Sequence, residues 1–463
     1  LDMAQQFREQ GGAATMDPSP LKRRVLSKLM THVHSESQVY KRRVKAEKAR
    51  RKDGRPHVVD YFHQVEDGYS HLACQLLERL ANRYDIELRC HLVRGPEGNN
   101  APDAALLLRL AHYDAALIAG EYGLVFPTTS EAPTEANVTR AQAILTSAPK
   151  DELYRLLPQI GQALWRNDET ELASLASQYG EATASEVDAL LSAGTTLRSQ
   201  LKHYSGAMFH YEGEWYWGVD RLHYLEARLG DLAADAAPNQ PLIAPCPEVS
   251  VAGVEAASDL TLEFFPSLRS PYTSIVFDET VALAKQAGVS LVVRPVLPMV
   301  MRGVPATREK GMYIFGDTAR EARRRGVPYG NFFDPIGNPV RRCYSLYPWA
   351  DSQGKGTELL SSFLHHAFAK GANTNSNRGL RRVVEAAGLN WTEAKQHIGN
   401  PEWEDLLEEN RLSMYASGLW GVPSYRLSDG EGIVKLEIWG QDRLWLVASE
   451  IRRHAAQNAV SGN

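Results

Sequence analysis

The hydrophobic positions of the chain follow two similar patterns, which lie on either side of an Ala- and Pro-rich stretch at 233–258. Each pattern begins with a short strand, at 57–62 and at 260–265, in which apolar side chains are frequent. A turn, a helical pattern and a second strand follow, and the second strands lie at 86–93 and 289–296. Because a β-α-β connection pairs its strands in parallel, each half is predicted to begin with two parallel strands.

Each half continues with a long run of helical periodicity and closes with a hairpin and a last helix. The start of that closing helix carries nearly the same letters twice, Trp-Gly-Val-Asp-Arg-Leu at 217–222 and Trp-Gly-Gln-Asp-Arg-Leu at 439–444. A match at five of these six positions, in the same context, indicates an internal repeat. The predicted fold class is α/β, with two tandem domains that are each a four-stranded mixed sheet with a helical insertion.

The beginning of the chain differs from the rest because basic side chains dominate at 41–55 and apolar ones are few. We predict a basic N-terminal helical arm at 1–55, a first domain at 56–232, a linker at 233–258 and a second domain at 259–463. Such an arm is typical of a solvated helix or of a segment that binds RNA or an acidic protein. The lack of aromatic side chains among the charges favours the solvated helix.

The chain of 463 residues is too long for one ordinary hydrophobic core, which agrees with more than one domain. Hydrophobic residues make up 43% and charged residues 23%, as is typical of a soluble globular protein. The net charge of −5 gives no attraction to nucleic acid or anionic lipid, and no apolar run is long enough for a membrane span. The four cysteines form no CxxC pair and no zinc-finger spacing. We therefore expect a cytoplasmic protein with no metal, no nucleic acid and no membrane partner.

Several short motifs of the second half occur in an order that resembles one known family. They are Ser270-Pro271-Tyr272, Arg294-Pro295-Val296-Leu297, Lys310 with Tyr313, Arg325-Gly326-Val327-Pro328, Gly421-Val422-Pro423 and Gly440-Gln441-Asp442-Arg443-Leu444. This order is similar to that of the DsbA-like thioredoxin superfamily, and within it to 2-hydroxychromene-2-carboxylate isomerases and kappa-class glutathione transferases. The resemblance spans about 259–455. Because 56–232 resembles a diverged copy, the resemblance implies two tandem thioredoxin-like domains.

Ser270 lies in the turn between a predicted strand and a predicted helix. Its hydroxyl is therefore expected at a helix N-terminus, where free N–H groups and the helix dipole favour an anion. The resemblance implies that Ser270 is the catalytic residue and stabilises the thiolate of bound glutathione, with Pro271 and Tyr272 beside it. In the disulfide-exchanging relatives a cysteine occupies this place. The alternative is that Ser270 only caps the helix, since serine is a preferred N-cap residue.

The same resemblance assigns other residues to glutathione binding. A cis bond between Val422 and Pro423 would let the Val422 backbone pair with the cysteinyl part of glutathione. Asp442 and Arg443, which open the last helix, would hold the charged γ-glutamyl end. Lys310 is a further candidate contact for an anionic group. The alternatives are an ordinary trans proline in a turn and an acidic residue that simply favours a helix start.

The first half departs from the family at both chemical positions. Asp67 stands where the second half has Ser270, and a carboxylate would repel a thiolate. Met208 replaces the proline, which makes a cis bond far more costly there. We therefore predict that the first domain is non-catalytic and acts as a built-in partner for the second.

The resemblance implies a glutathione-dependent isomerase or transferase that acts on a small, aromatic or electrophilic organic substrate, with glutathione as cofactor. Two alternatives stay open, a DsbA-type thiol-disulfide oxidoreductase and a non-catalytic tandem scaffold. The missing CxxC pair argues against the oxidoreductase. A homodimer also stays open, because the tandem copy could satisfy the interface that single-domain relatives use between subunits.

Overall fold

The computed structural model describes residues 17–101, 104–127, 131–254, 257, 259–304 and 306–461. The first sixteen residues of the predicted arm, and residues 255, 256 and 258 of the predicted linker, lie outside this part of the chain. The chain divides into an N-terminal unit, Tyr40–Pro247, and a C-terminal unit, which contains Glu248 onward together with the segment that ends at Val39. Each unit has its own sheet.

Two helices precede the first sheet, α1 at Pro20–Val33 and α2 at Glu36–Lys52. Ser19 caps α1 by accepting a hydrogen bond from the backbone N–H of Lys22, and a proline occupies the first helical position. The basic helix α2 buries none of its residues, as expected of a solvated helix.

Helix α1 packs within the C-terminal unit through polar side chains at every fourth position. Arg23 is 2% exposed and donates to the carbonyl oxygens of Asp334 and Ile336. One turn further, Ser27 accepts a hydrogen bond from the N–H of Asp334 at 2.9 Å. After another turn, Thr31 accepts one from the N–H of Phe332 at 3.0 Å. The polar face of α1 thus supplies partners for the backbone of a loop that has no strand to pair with.

The N-terminal unit is built on one mixed sheet with helices between its strands. Its strands are β1 (Val58–His63), β2 (Glu87–Leu92), β3 (Met208–Tyr211) and β4 (Glu214–Trp217). Its α-helices are α3 (Gly68–Cys74), α4 (Leu77–Arg83), α5 (Ala104–Ile118), α6 (Glu135–Ser147), α7 (Leu153–Trp165), α8 (Glu169–Tyr179), α9 (Ala184–Gln200) and α10 (Leu222–Asp231). Strand β1 pairs with β2 in parallel and with β3 antiparallel, and β3 and β4 form a hairpin, so the strand order is β2-β1-β3-β4.

The C-terminal unit repeats this strand order and these strand directions. Its strands are β5 (Thr261–Phe265), β6 (Ser290–Val293), β7 (Ser424–Ser428) and β8 (Val434–Trp439), in the order β6-β5-β7-β8. Its further α-helices are α11 (Pro271–Ala287), α12 (Arg308–Arg325), α13 (Asn338–Tyr344), α14 (Tyr347–Ser352), α15 (Gly356–Phe368), α16 (Asn377–Ala386), α17 (Trp391–Ala394), α18 (Glu402–Ala416) and α19 (Leu444–Ser461). The predicted α/β class with two four-stranded mixed sheets is confirmed.

Aromatic rings pair between the two inner strands of each sheet. The rings of Tyr61 and Phe209, on β1 and β3, lie 4.7 Å apart, and those of Phe264 and Tyr425, on β5 and β7, lie 5.3 Å apart. Such cross-strand pairs stabilise a sheet and help to fix its register. Among the described helices, none is both long and apolar enough to cross a membrane.

Each central strand also carries one carboxylate between basic side chains of its two neighbouring strands. On β5, Glu263 forms ion pairs with Arg294 and Arg426. On β1, Asp60 takes the same place, with His91 Nε2 at 2.8 Å and His210 Nδ1 at 3.9 Å. Burial raises the pKa of Glu263, but its bonds to Arg426 and Arg294 outweigh burial and leave that pKa below its ordinary value.

Replacement of Glu263 by glutamine should destabilise the C-terminal unit in a pH-dependent way. A carboxyl group whose pKa is lowered by folding adds stability above its unfolded-state pKa, and that stability is lost as the pH falls through the folded-state pKa. The difference in unfolding free energy between the wild type and Glu263→Gln should therefore be largest at neutral pH and shrink below about pH 4. Urea denaturation across this pH range measures it. The exposed Glu409→Gln is the charge-matched control, and a pH-independent difference would contradict the assignment.

Loss of the Arg23 side chain should loosen the loop that α1 holds. Arg23→Ala leaves two buried carbonyl oxygens without a donor, so we expect the free energy of unfolding to fall by about 1–3 kcal/mol. The neighbouring Arg24 is exposed, and Arg24→Ala should change the stability little. Equal effects of the two substitutions in urea denaturation would show that α1 is not anchored through Arg23.

Candidate functional site

The pairing of β5 with β7 brings two distant parts of the chain to the same end of the C-terminal sheet. The strands are antiparallel and Phe265, the last residue of β5, pairs with Ser424, the first residue of β7. The turn that leaves β5 therefore starts beside the segment that enters β7. Ser270 lies in that turn, and Val422 and Pro423 lie in that segment.

Ser270 is the N-cap residue of helix α11. Its Oγ accepts a hydrogen bond from the backbone N–H of Thr273 at 3.1 Å, and Pro271 occupies the first helical position. Because Oγ acts as an acceptor in this bond, the hydroxyl hydrogen can still be donated to another group. The side chain is half-buried, and the helix behind it has 17 residues, so the positive end of a long dipole lies here. The predicted place of Ser270 at a helix start is confirmed.

Val422 and Pro423 are joined by the one cis peptide bond found in the described residues. The carbonyl oxygen of Pro423 accepts a hydrogen bond from the N–H of Gly440 at 3.0 Å. Within the described part of the chain, neither the N–H nor the C=O of Val422 takes part in a hydrogen bond. The segment that enters β7 therefore has an unpaired peptide unit, with which an extended ligand backbone can form strand-like hydrogen bonds.

Gly421 has to be a glycine because an aromatic ring fills the space where a side chain would begin. A Cβ built at this position would lie 1.9 Å from the indole ring of Trp439. Trp439 also packs against Trp420, with ring centroids 4.9 Å apart. The two tryptophans thus fix the backbone that leads into the cis bond.

Asp442 and Arg443 lie in the short 3-10 turn Gln441–Arg443, directly after Gly440. Arg443 is 1% exposed; its Nη1 donates to the carbonyl oxygen of Asp442 at 3.1 Å and lies 3.8 Å from the carboxylate Oδ1. Asp442 is only partly buried. The turn contacts helix α11, and Gly440, which directly precedes it, donates to the carbonyl oxygen of Pro423, so the turn lies next to the cis bond. Arg443 has a buried structural position, whereas Asp442 is the more accessible member of the pair.

Tyr272 makes a contact that the sequence analysis missed. Its hydroxyl donates to Asp317 Oδ2 on α12 at 2.8 Å, and Asp317 also forms an ion pair with Arg320. In the N-terminal unit, Tyr69 donates to Asp114 Oδ2 at 2.7 Å, and both pairs are separated by 45 positions. The equal spacing of these Tyr and Asp residues in the two halves of the sequence could have indicated both bonds. The bond ties the first turn of α11 to the helical insertion.

In the described part of the chain, Lys310 forms no hydrogen bond and no ion pair with any other candidate site residue. It lies in the first turn of α12, where its N–H donates to the N-cap Thr307 at 3.2 Å. Asp317, the partner of Tyr272, lies seven positions further along α12, or roughly 10 Å by the helical rise. Burial lowers the pKa of the Lys310 ammonium.

Arg269, which directly precedes Ser270, is also held in place by a contact that the sequence analysis missed. Its guanidinium forms a two-point ion pair with Asp334, at 3.0 and 3.2 Å. Asp334 lies in the loop that helix α1 holds through Arg23 and Ser27. Helix α1 is thereby linked to the turn that carries Ser270.

The corresponding turn of the N-terminal unit has a different chemistry. Asp67 caps α3, and its Oδ2 accepts hydrogen bonds from the N–H and the hydroxyl of Ser70, at 2.9 and 2.7 Å. Burial raises the pKa of the Asp67 carboxyl to about 6. Asp67 thus stands where Ser270 does, as predicted. The counterpart of Pro423 is Ala207 and not Met208, because Gly218 donates to the Ala207 carbonyl as Gly440 does to that of Pro423, and Met208 pairs with Trp217 as Ser424 pairs with Trp439. The predicted place of Met208 is wrong by one residue, but the unit still lacks a proline here and the Gly206–Ala207 bond is trans.

No cysteine is placed for disulfide exchange at either turn. Ser270 and Thr273 occupy the positions of a CxxC pair, and the Thr273 side chain is fully buried. Cys343 has basic neighbours in the sequence, which favour a reactive thiolate, but it is fully buried and burial raises its pKa far above the ordinary value. Burial also raises the pKa of Cys90, to about 12. Cys343 is therefore a small core residue.

Comparison with known proteins identifies the fold of the C-terminal unit. Residues 261–452 match the family model of the DSBA-like thioredoxin domain. The C-terminal unit has a DsbA-like thioredoxin fold. The solved 2-hydroxychromene-2-carboxylate isomerase is 19% identical, with a TM-score of 0.37 over 43% of this chain and 98% of its own. No curated protein sequence matches the chain at a significant level.

Two oxidoreductases are among the other similar structures. A probable DsbA oxidoreductase from Streptomyces coelicolor is 18% identical, with a TM-score of 0.34 over 43% of this chain and 90% of its own. The cytosolic disulfide reductase DsbM from Pseudomonas aeruginosa is 15% identical, with a TM-score of 0.35 over 43% of this chain and 99% of its own.

Substitutions at Ser270 should separate its capping role from any role of its hydroxyl. Ser270→Ala removes the acceptor for the Thr273 N–H and should lower the free energy of unfolding by about 1 kcal/mol. Ser270→Asp retains a side-chain acceptor, as Asp67 does for Ser70, and should stay within about 0.5 kcal/mol of the wild type. Urea denaturation measures both. Equal losses in the two variants would contradict the capping geometry.

Proposed function

We propose that the C-terminal unit binds glutathione and uses it in an isomerase or transferase reaction on a small, aromatic or electrophilic organic molecule. One observation carries this proposal: a free hydroxyl hydrogen at the start of a 17-residue helix lies at the same sheet end as an unpaired peptide unit. A thiol-containing peptide needs both of these features, an environment that favours its thiolate and a backbone edge with which it can pair.

Ser270 supports the thiolate part of the proposal. Its Oγ is held by the Thr273 N–H, so its hydrogen is free to be donated to sulfur. The helix dipole adds a favourable potential for an anion at the same place. Bound glutathione would supply the nucleophilic sulfur, and this chain would supply the positioning and the stabilisation of its charge.

The peptide part of the proposal depends on Val422 and Asp442. The unpaired N–H and C=O of Val422 could form two hydrogen bonds with the cysteinyl residue of glutathione, as in strand addition. Asp442 lies one short turn away, after Gly440, and its partly exposed carboxylate could accept from the α-ammonium group. Buried Arg443 would position Asp442 through their mutual contact and need not touch the ligand itself.

We propose that the N-terminal unit is a diverged copy without this reaction. Its Asp67 carboxylate would repel a thiolate, and its trans Gly206–Ala207 bond, the counterpart of Val422–Pro423, lacks the geometry around Val422. The same absence of a cysteine pair at both turns argues against dithiol exchange as the function of the whole chain.

Glutathione binding and its ionisation test this proposal in one titration. We expect the full chain to bind glutathione and to lower the thiol pKa of the bound molecule from about 8.5 to below about 7.5, because Ser270 and the helix start stabilise the thiolate. Thiolate absorbance against pH measures the shift, and calorimetry measures the affinity. Ser270→Ala and Ser270→Asp should both lose the shift, although only the first loses the cap.

S-methylglutathione, which cannot ionise at sulfur, is the ligand control and should bind without an absorbance change. An unchanged thiol pKa in Ser270→Ala would show that Ser270 has only a structural role. A lack of glutathione binding by the full chain would overturn the proposal, and reduction of insulin by the purified protein would favour disulfide exchange instead.

A further inference from the structure

A cavity of about 220 Å³ lies in the N-terminal unit, at the Asp67 end of its sheet. Its apolar wall comes from one face of α5, with Leu107, Leu108 and Ala111, and from the ring of Trp217. Its polar wall includes Glu66 and Asp67. An apolar cavity of about 150 Å³ can hold a benzene ring, so this one has room for a single ring with a short substituent.

Two carboxylates of the polar wall, those of Glu66 and Asp67, form no ion pair with a basic residue. Asp67 is 8% exposed, and its carboxylate accepts hydrogen bonds from the N–H and the hydroxyl of Ser70. Glu66 is half-buried and accepts from the side-chain amide of Gln64 at 2.9 Å. Among the described residues, neither carboxylate has a basic side chain within ion-pair distance. A buried carboxylate in this position is costly unless a cation or a proton joins it.

Burial raises the pKa of both carboxyl groups, that of Asp67 to about 6, and the charge of Glu66 also raises the pKa of Asp67. The central-strand carboxylates Asp60 and Glu263 have basic partners from this chain, whereas these two do not. A positively charged ligand would therefore give these two carboxylates the ion-pair partner that they lack. It would also gain from Trp217, whose ring face attracts cations.

The shape of the wall favours an organic cation. Helix α3 begins at Gly68, and a Cβ there would lie 2.8 Å from the carbonyl oxygen of Ala111, so α3 and α5 approach each other closely beside the cavity. The described residues contain no group of three or more His, Cys, Asp or Glu side chains placed to hold a metal ion. An ammonium group attached to a ring would use the carboxylates and the apolar wall at once.

We propose that this cavity is a binding site for a small primary or secondary amine with one apolar ring, bound as its ammonium ion. The ammonium group contacts Glu66 and Asp67, and the ring lies between α5 and Trp217. The site is independent of glutathione binding in the C-terminal unit, and no covalent step is involved.

The test compares benzylamine with benzyl alcohol, which has nearly the same shape without the charge. Calorimetry on the full chain at about pH 8, above the Asp67 pKa of about 6, should show one benzylamine bound per chain and about tenfold weaker binding of the alcohol. Asp67→Asn, which retains an N-cap acceptor, and Glu66→Gln should each weaken benzylamine binding by about tenfold.

Two control variants test whether benzylamine binds in this cavity. Glu121→Gln removes an exposed carboxylate of the same unit and should leave the affinity within about twofold of the wild type. Leu107→Trp fills the cavity from its apolar side and should abolish binding without removing a charge, which tests the site even if Asp67→Asn does not fold. Ser270→Asp in the C-terminal unit should not affect benzylamine, so failure here and failure of the glutathione proposal are distinguishable.

Equal affinities for the amine and the alcohol would overturn the role of the carboxylates. Unchanged binding in Leu107→Trp would place the ligand elsewhere and overturn the site. A lack of measurable binding by benzylamine and by cyclohexylmethylamine would overturn the proposal as a whole.

Discussion

The candidate site depends on the antiparallel pairing of β5 with β7, two strands that a long helical insertion separates in the sequence. Because Phe265 pairs with Ser424, the turn that ends in Ser270 and the segment that contains Val422 and Pro423 must meet at one end of the sheet. The bond from Gly440 to Pro423 then brings the start of the last helix to the same place. A shift of this register by one residue would turn every side chain of β7 to the opposite face and separate these groups.

The two units share this scaffold and differ in the charges that they place on it. In each central strand a carboxylate is balanced by two neighbours, arginines around Glu263 and histidines around Asp60. An arginine guanidinium presents a planar fork of donors to a carboxylate, whereas a histidine ring presents a single nitrogen to it. The two units therefore balance the same position with different side chains. Local sequence changes have altered the electrostatics without altering the strand order.

The strands, the closing hairpins and the helix start at Ser270 could be predicted from the sequence because they depend on local patterns, alternation of apolar residues and a preferred N-cap. The attachment of α1 could not, because Arg23 and Ser27 pair with backbone groups more than 300 positions away, and such contacts leave no periodic signal. The Tyr272–Asp317 bond lies between these cases. Its partners are far apart, but the equal spacing of Tyr69 and Asp114 would have indicated it.

Helix capping alone does not explain why one unit has serine and the other aspartate at the same turn. Both side chains accept from the N–H three positions ahead, at 3.1 Å for Ser270 and 2.9 Å for Asp67, so either would serve as a cap. The choice between serine and aspartate instead affects which ligands can approach the turn. A hydroxyl at a helix start accepts an anion, because it can donate and the dipole is favourable, whereas a buried carboxylate without a basic partner excludes anions and attracts cations. The two proposals therefore assign ligands of opposite charge to the turns of the two units, although the strand order around them is the same.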